Sequence, residues 1–222
     1  MDVLARIDQA RSAHNVLEHP FYQRWSAGEL SAEELAFYAG EYRHAVIALA
    51  EASEALATEA DAHHRAGLER HAAEERSHVA LWDRFVAAAA DERIDGGSSR
   101  EPLSETDRCA RAWTAGEGAL EHLAVLYAIE AGQPEIAKTK LEGLTERYGY
   151  RPEGPAVEYF QLHATLDVEH ARQARELIAE LVGAEETENQ AMADRMVERA
   201  TAALRGNWEL LDGVEARFAK TA

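Results

Sequence analysis

The strongest chemical signal in the chain is the stretch His163-Ala164-Thr165-Leu166-Asp167-Val168-Glu169-His170. It reads H-x3-D-x2-H. On an α-helix, steps of four and seven residues turn a side chain by only about 40° forward and about 20° back. His163, Asp167 and His170 then share one face two turns long. Two imidazoles and a carboxylate on one face suit a transition metal with mixed nitrogen and oxygen ligands. An amphipathic helix with polar residues in water would explain the same letters. Against that, Phe160, Val168 and Leu177 spread apolar residues around much of this helix. A largely buried His or Asp needs a partner.

Partners are available elsewhere. Glu74 and His78 stand one helical turn apart. Glu75, three residues before His78, competes with Glu74, and His71 lies two turns before His78 on the same face. Glu130 sits inside the apolar run Leu126-Tyr127-Ala128-Ile129-Glu130-Ala131, where a carboxylate is costly to bury unless it is paired or bound to a cation. Together Glu74, His78, Glu130, His163, Asp167 and His170 supply three carboxylates and three imidazoles from three helices. That set suits one or two Fe or Mn ions in a bundle core. Taken singly, Glu74 reads as a solvated acid and His78 as a hydrogen-bonded helix histidine; only the conjunction points to metal.

The elements that must position these residues are helices. The chain has 222 residues, 46% of them hydrophobic, and only 5 prolines, which predicts an all-α protein with one domain over residues 1–222. A short helix is expected over about Val3 to Ala13. Pro20 opens a short aromatic helix with Phe21, Tyr22 and Trp25, closed by Gly28. Ser31 and Glu34 form a capping box for a long helix to about Glu59. A third helix should run from His64 to about Ala90. Ser104-Glu105-Thr106-Asp107 offers a cap for a fourth, continuous to about Ala131. Pro134 opens a fifth, to Arg147. The sixth, about Ala156 to Val182, carries the opening motif, and the last runs from about Glu186 to Ala219. Seven helices plus the short aromatic one predict a bundle with ligands between facing helices. The stretch from Asp91 to Glu101 reads as the clearest loop.

Charge narrows the function classes. The formal net charge of -18 leaves no basic footprint for nucleic acid and disfavours anionic membranes. No apolar run approaches the roughly 20 residues of a membrane span. The single cysteine, Cys109, permits no internal disulfide and fits a reducing cytoplasm. The N-terminus lacks a signal peptide's basic and apolar regions. His63-His64 reads as a solvated pair at a helix junction. His44 and His122 lack a ligand pattern, and Glu185-Glu186-Thr187-Glu188 reads as an acidic helix start.

These residues also carry a resemblance. The chain resembles the haem-oxygenase-like dimetal oxidases, relatives of TenA and PqqC, and among them the self-sacrificing para-aminobenzoate synthases. The similarity shows in Leu17-Glu18-His19 with Phe21-Tyr22 and Trp25, and in Gly28-Glu29-Leu30. It continues in Glu74-Glu75 with His78 and Leu81-Trp82, in Tyr127 with Glu130, and in Ile136-Ala137, Lys140 and Gly143-Leu144-Thr145-Glu146. It ends in Tyr159-Phe160, His163, Asp167 and His170-Ala171-Arg172. The resemblance implies a seven-helix haem-oxygenase-like bundle, a homodimer, and a dinuclear Fe and/or Mn centre that uses O2 and a reductant. His78, Glu130, His163, Asp167 and His170 match ligand positions directly. Glu74 matches only across a gap, and an ungapped match puts His71 there, so Glu74, Glu75 and His71 all stand for the first ligand. Tyr22 matches the tyrosine consumed as the aromatic ring, Tyr38 a second tyrosine beside it, and Lys140 the amino-group donor. A tyrosine adjacent to the metal-binding Glu is replaced here by Ile129.

Three rival readings follow. A dimetal oxidase acting on an external small molecule would leave Tyr22 intact. A metal-free TenA- or PqqC-like protein would not need H-x3-D-x2-H; the thiaminase branch uses a cysteine in the helix that holds Glu130, and this chain has none at a matching place. An interaction module would use the acidic helical surface. By chemistry alone, Tyr22 reads as a half-buried aromatic and Lys140 as an exposed helix lysine.

Overall fold

In the computed structural model, residues 2–90, 101–183 and 190–219 are described. All but Glu101 of the loop expected from Asp91 to Glu101, and the acidic run Glu185 to Glu188, lie outside them. Among the described residues there are nine α-helices, one 3-10 turn and no strand: α1 (Val3–Ala13), the turn (Val16–Glu18), α2 (Pro20–Ala27), α3 (Ala32–Glu59), α4 (Arg65–Ala89), α5 (Ser104–Thr114), α6 (Ala119–Glu130), α7 (Gln133–Glu146), α8 (Glu158–Gly183) and α9 (Gln190–Phe218). The fold is the expected all-α bundle.

Local sequence chemistry sets most boundaries. Both bonds of the Ser31 capping box form: Ser31 Oγ accepts from the Glu34 amide at 3.2 Å, and Glu34 accepts from the Ser31 amide at 2.8 Å. Pro20 opens α2, the His19 ring caps it by accepting from the Phe21 amide, and Gly28 ends it at φ 74°. The fourth predicted helix is in fact two, α5 and α6. Gly118 sits at φ 108°, a conformation that side chains resist, and a Cβ at Gly116 would fall 2.7 Å from the His122 ring. The chain must turn there to seat that ring. Ser104 provides no side-chain cap. The start of α5 is held by Glu41 of α3 instead, which accepts from the Leu103 amide at 3.0 Å and from the Thr106 hydroxyl.

Helix α3 is the spine, packed by α4, α5, α6 and α9, while α8 closes the other side against α4, α6 and α7. Every residue of α6 from Glu121 to Glu130 is buried. That helix is fixed at its start by Glu121, which accepts from Arg195 and Arg199 of α9, each at 3.0 Å. Its far end delivers Glu130 to the space between α4 and α8. Helix α2 docks on α7 through Trp25: its indole N–H donates to the Lys140 carbonyl at 3.3 Å. A Cβ at Gly143 would lie 2.4 Å from the same indole nitrogen, so only glycine lets the two helices approach this closely.

Candidate metal centre and aromatic chamber

Helices α4, α6 and α8 converge on a cluster of acids and imidazoles. His71, Glu75, Glu130 and His170 each offer an atom within 4.8 Å of the others, and so do Glu75, His78 and His163. Glu75 belongs to both groups. Its Oε1 lies 3.2 Å from His78 Nδ1, 3.7 Å from His170 Nδ1 and 3.8 Å from His71 Nε2. His71 Nε2 lies 3.0 Å from Glu130 Oε1, and His170 Nδ1 lies 3.5 Å from Asp167 Oδ1.

The polar atoms of this cluster are left unsatisfied. His71 Nε2, Glu75 Oε1, His78 Nδ1, both Glu130 oxygens, His163 Nε2, Asp167 Oδ2 and His170 Nδ1 are all buried without a partner in hydrogen-bonding geometry. One such atom costs a few kcal/mol, so eight together ask for a common partner. Mixed carboxylate and imidazole donors around a shared carboxylate fit iron or manganese. The His163 ring is already oriented as a ligand. Its Nδ1 donates to the Tyr159 carbonyl at 2.8 Å, which leaves the Nε2 lone pair facing the cluster.

Electrostatics reflect the crowding. Burial alone would discharge Glu75, but His78, His163 and His71 outweigh it and hold its carboxyl below the usual range. Burial pushes Asp167 up and His163 down. Burial would also lower His170, but Asp167, Glu130 and Glu75 overcome it and raise the ring to about 9. Without metal, then, protons and ion pairs balance the acids.

Five of the six predicted ligands, His78, Glu130, His163, Asp167 and His170, lie in this cluster. Glu74 does not: its side chain is 53% exposed, and its carboxylate touches the outer side of His170, 3.4 Å from Nε2. The inward positions on α4 belong to Glu75 and His71. The sequence signal for Glu75 is its place in the buried stripe Glu75, His78, Trp82, Phe85, Ala89, whose steps of three and four residues follow a helix face.

Beside the cluster lies an aromatic chamber that holds Tyr22, Tyr38 and Lys140 together. The Tyr22 and Tyr38 hydroxyls share a hydrogen bond of 3.2 Å. Lys140 is fully buried rather than exposed. Its Nζ lies 5.5 Å from the centres of the Tyr22 and Tyr38 rings and 4.4 Å from that of Tyr42. Trp82 packs between chamber and cluster, 6.2 Å from Tyr38 and 4.9 Å from Tyr159, centre to centre. Tyr159 in turn stacks on His163 at 3.8 Å. Burial pushes the Tyr22 and Tyr38 hydroxyls well above their ordinary values, so both stay protonated. Burial, with no ion pair among the described residues to offset it, pulls Lys140 down to about 7. Cys109 sits apart in α5, buried, with its thiol pushed up by that burial, which disfavours the thiolate a nucleophile requires.

Fold and cluster together define a helical bundle with a buried acid and imidazole centre, and comparison with known proteins places such a bundle in a redox family. The family described as "Iron-containing redox enzyme" matches residues 71–205. The 4-aminobenzoate synthase of Chlamydia muridarum is 31% identical over 205 residues, 89% of this chain and 86% of the relative. That of Nitrosomonas europaea is 28% identical over 235 residues, covering 96% and 91%. A TenA homologue from Pseudomonas syringae superposes with a TM-score of 0.80 at 19% identity, covering 96% and 91%. A haem-oxygenase-like domain from Shewanella denitrificans superposes at 0.77, also at 19% identity, covering 98% and 94%. The chain belongs to the haem-oxygenase-like family of iron-containing redox enzymes. Among the described residues no helix is long and apolar enough to cross a membrane.

Proposed function

We propose that this chain is an O2-dependent dimetal oxidase that makes 4-aminobenzoate, taking the ring from its own Tyr22 and the amino group from Lys140. The observation that carries this reading is the burial of Tyr22, Tyr38 and Lys140 in one aromatic chamber beside the acid and imidazole cluster. The name shared by the relatives supplies the product. His71, Glu75, His78, Glu130, His163, Asp167 and His170 would hold the two cations, Glu75 being common to both donor groups and Asp167 offering its unpartnered Oδ2. Iron, or iron with manganese, would supply O2-driven oxidation there. O2 and a reductant are the external partners this reading requires.

The chain's own residues do the rest. At neutral pH a large share of Lys140 is the neutral amine, since burial brings it to about 7, and a neutral amine is a nucleophile. Tyr38 orients the Tyr22 hydroxyl through their hydrogen bond. Trp25, Tyr42 and Trp82 are 0 to 2% exposed and exclude water from a reactive intermediate. A residue consumed as substrate need not exchange with solvent, which suits a closed chamber.

The test is to load purified protein with Fe(II) and Mn(II), add reductant and O2, then measure 4-aminobenzoate and intact mass. Product should not exceed one per chain, with mass lost at position 22, and Tyr22→Phe should yield none. Undiminished product from Tyr22→Phe would sink the proposal.

One observation favours an external substrate instead. A pocket of about 260 Å³, walled by Leu56, Leu68, Leu123, Leu126 and Leu177, opens onto His71 and His170. An unchanged mass after turnover of an added apolar compound would favour that reading.

A further inference from the structure

The mouth of this pocket carries a second constellation. His64 directly precedes α4, and Glu180 stands near the end of α8. His64 Nε2 lies 3.4 Å from Glu180 Oε1. His63, His64 and Glu180 each offer an atom within 4.8 Å of the others, with the two rings 4.8 Å apart and nearly perpendicular. Asp61 organises them. Its Oδ1 accepts from the amides of His63 and His64 at 2.8 and 3.0 Å, and its Oδ2 lies 2.9 Å from His64 Nδ1. A carboxylate on one ring nitrogen leaves the other as a free donor, the arrangement usual for a metal-bound histidine. That other atom, His64 Nε2, is buried without a hydrogen-bond partner.

This set is continuous with the buried cluster. His64, just before α4, and His71 on it are seven residues apart, and Glu180 leads along α8 through Leu177 and Gln173 to His170; all of them line the pocket. The net charge of -18 raises the local concentration of cations. A solvated histidine pair would explain His63 alone, but not the orientation of His64 by Asp61 toward Glu180 in a pocket that His71 and His170 also line.

We propose that His63, His64 and Glu180, oriented by Asp61, form a surface site that captures a divalent transition-metal ion and passes it through the pocket to His71 and His170. The capture site stands on its own; the delivery step rests on the metal-centre reading given above.

The test uses the full chain stripped of metal and equilibrated with Co(II), with cobalt per chain measured by elemental analysis. Removing both imidazoles (His63→Ala with His64→Ala) should cost about one ion per chain, and Glu75→Gln should leave that surface ion in place. His64→Asn puts its amide nitrogen where Nδ1 lies, so it keeps a donor for Asp61 while deleting the Nε2 ligand; it separates ligand loss from a disturbed turn and should lose the same ion. Filling of the buried cluster, followed by cobalt absorbance, should slow about tenfold in these histidine variants. Equal cobalt in wild type and the double variant overturns the capture site, and an unchanged filling rate overturns delivery. If Glu75→Gln costs no cobalt while the double variant loses an ion, the buried-centre reading fails and the surface site stands.

Discussion

The side-chain nitrogen of Lys140 lies 5.5 Å from the centre of the Tyr22 ring, enclosed by aromatic residues and without an ion pair among the described residues. Burial lowers the lysine from 10.5 to about 7, so between those values the folded chain binds fewer protons than the unfolded one. Stability therefore rises with pH across that window. Below about 7 the full cost of burying the charge is present. Lys140→Met should raise the unfolding midpoint relative to wild type at pH 7, and the gap should close as pH approaches 10. Thermal unfolding of metal-free protein at several pH values measures this; a gap that ignores pH would contradict the buried, depressed lysine.

The same group predicts the pH response of the proposed reaction. If the neutral amine attacks, single-turnover 4-aminobenzoate should rise with pH through about 7, as Lys140 loses its proton. Lys140→Arg, which stays charged, should make none at any pH while keeping its metal. Product from the arginine variant would remove Lys140 as the donor.

Glu74 and Glu75 are neighbours with opposite fates: one 53% exposed, the other buried among four imidazoles. Glu75→Gln should lose most bound iron or manganese, because it takes the charge from the carboxylate shared by both ligand groups. Glu74→Gln should keep the metal count, with affinity lowered by about 10-fold at most through its contact with His170. Elemental analysis and metal titration of the two variants decide the assignment, and a reversed result would put Glu74 in the centre.

Gly143 lets Trp25 lie against α7, and Trp25 anchors the helix that carries Tyr22. Gly143→Ala should cost about 1–3 kcal/mol from overpacking, a fall in Tm of about 2–12 °C for a chain of this size. It should also shift Tyr22 away from Lys140 and reduce product more than metal content. Differential scanning calorimetry with a product assay checks both; a variant of unchanged Tm would mean that the indole moves aside freely.

Much of this protein was legible in the letters alone. The capping box at Ser31, Pro20 and Gly28 around α2, and the spacing of His163, Asp167 and His170 are local, and helix geometry converts each directly into structure. Glu130 announced itself as an acid inside an apolar run. What the letters left open was settled by packing over long sequence distances. A helical period says which residues share a face, but not which face turns inward. Adjacent residues point about 100° apart, so Glu75 rather than Glu74 entered the cluster once α4 had docked on α8. Lys140, flanked by polar neighbours, looked solvated until α2 and α3 laid their tyrosines over it. The break between α5 and α6 came from the His122 ring seated against Gly116. Local sequence determined the helices and most of the donor set; only the tertiary structure decided which acid faced inward and that the lysine was buried, because burial is a property of the assembled faces and not of any one helix.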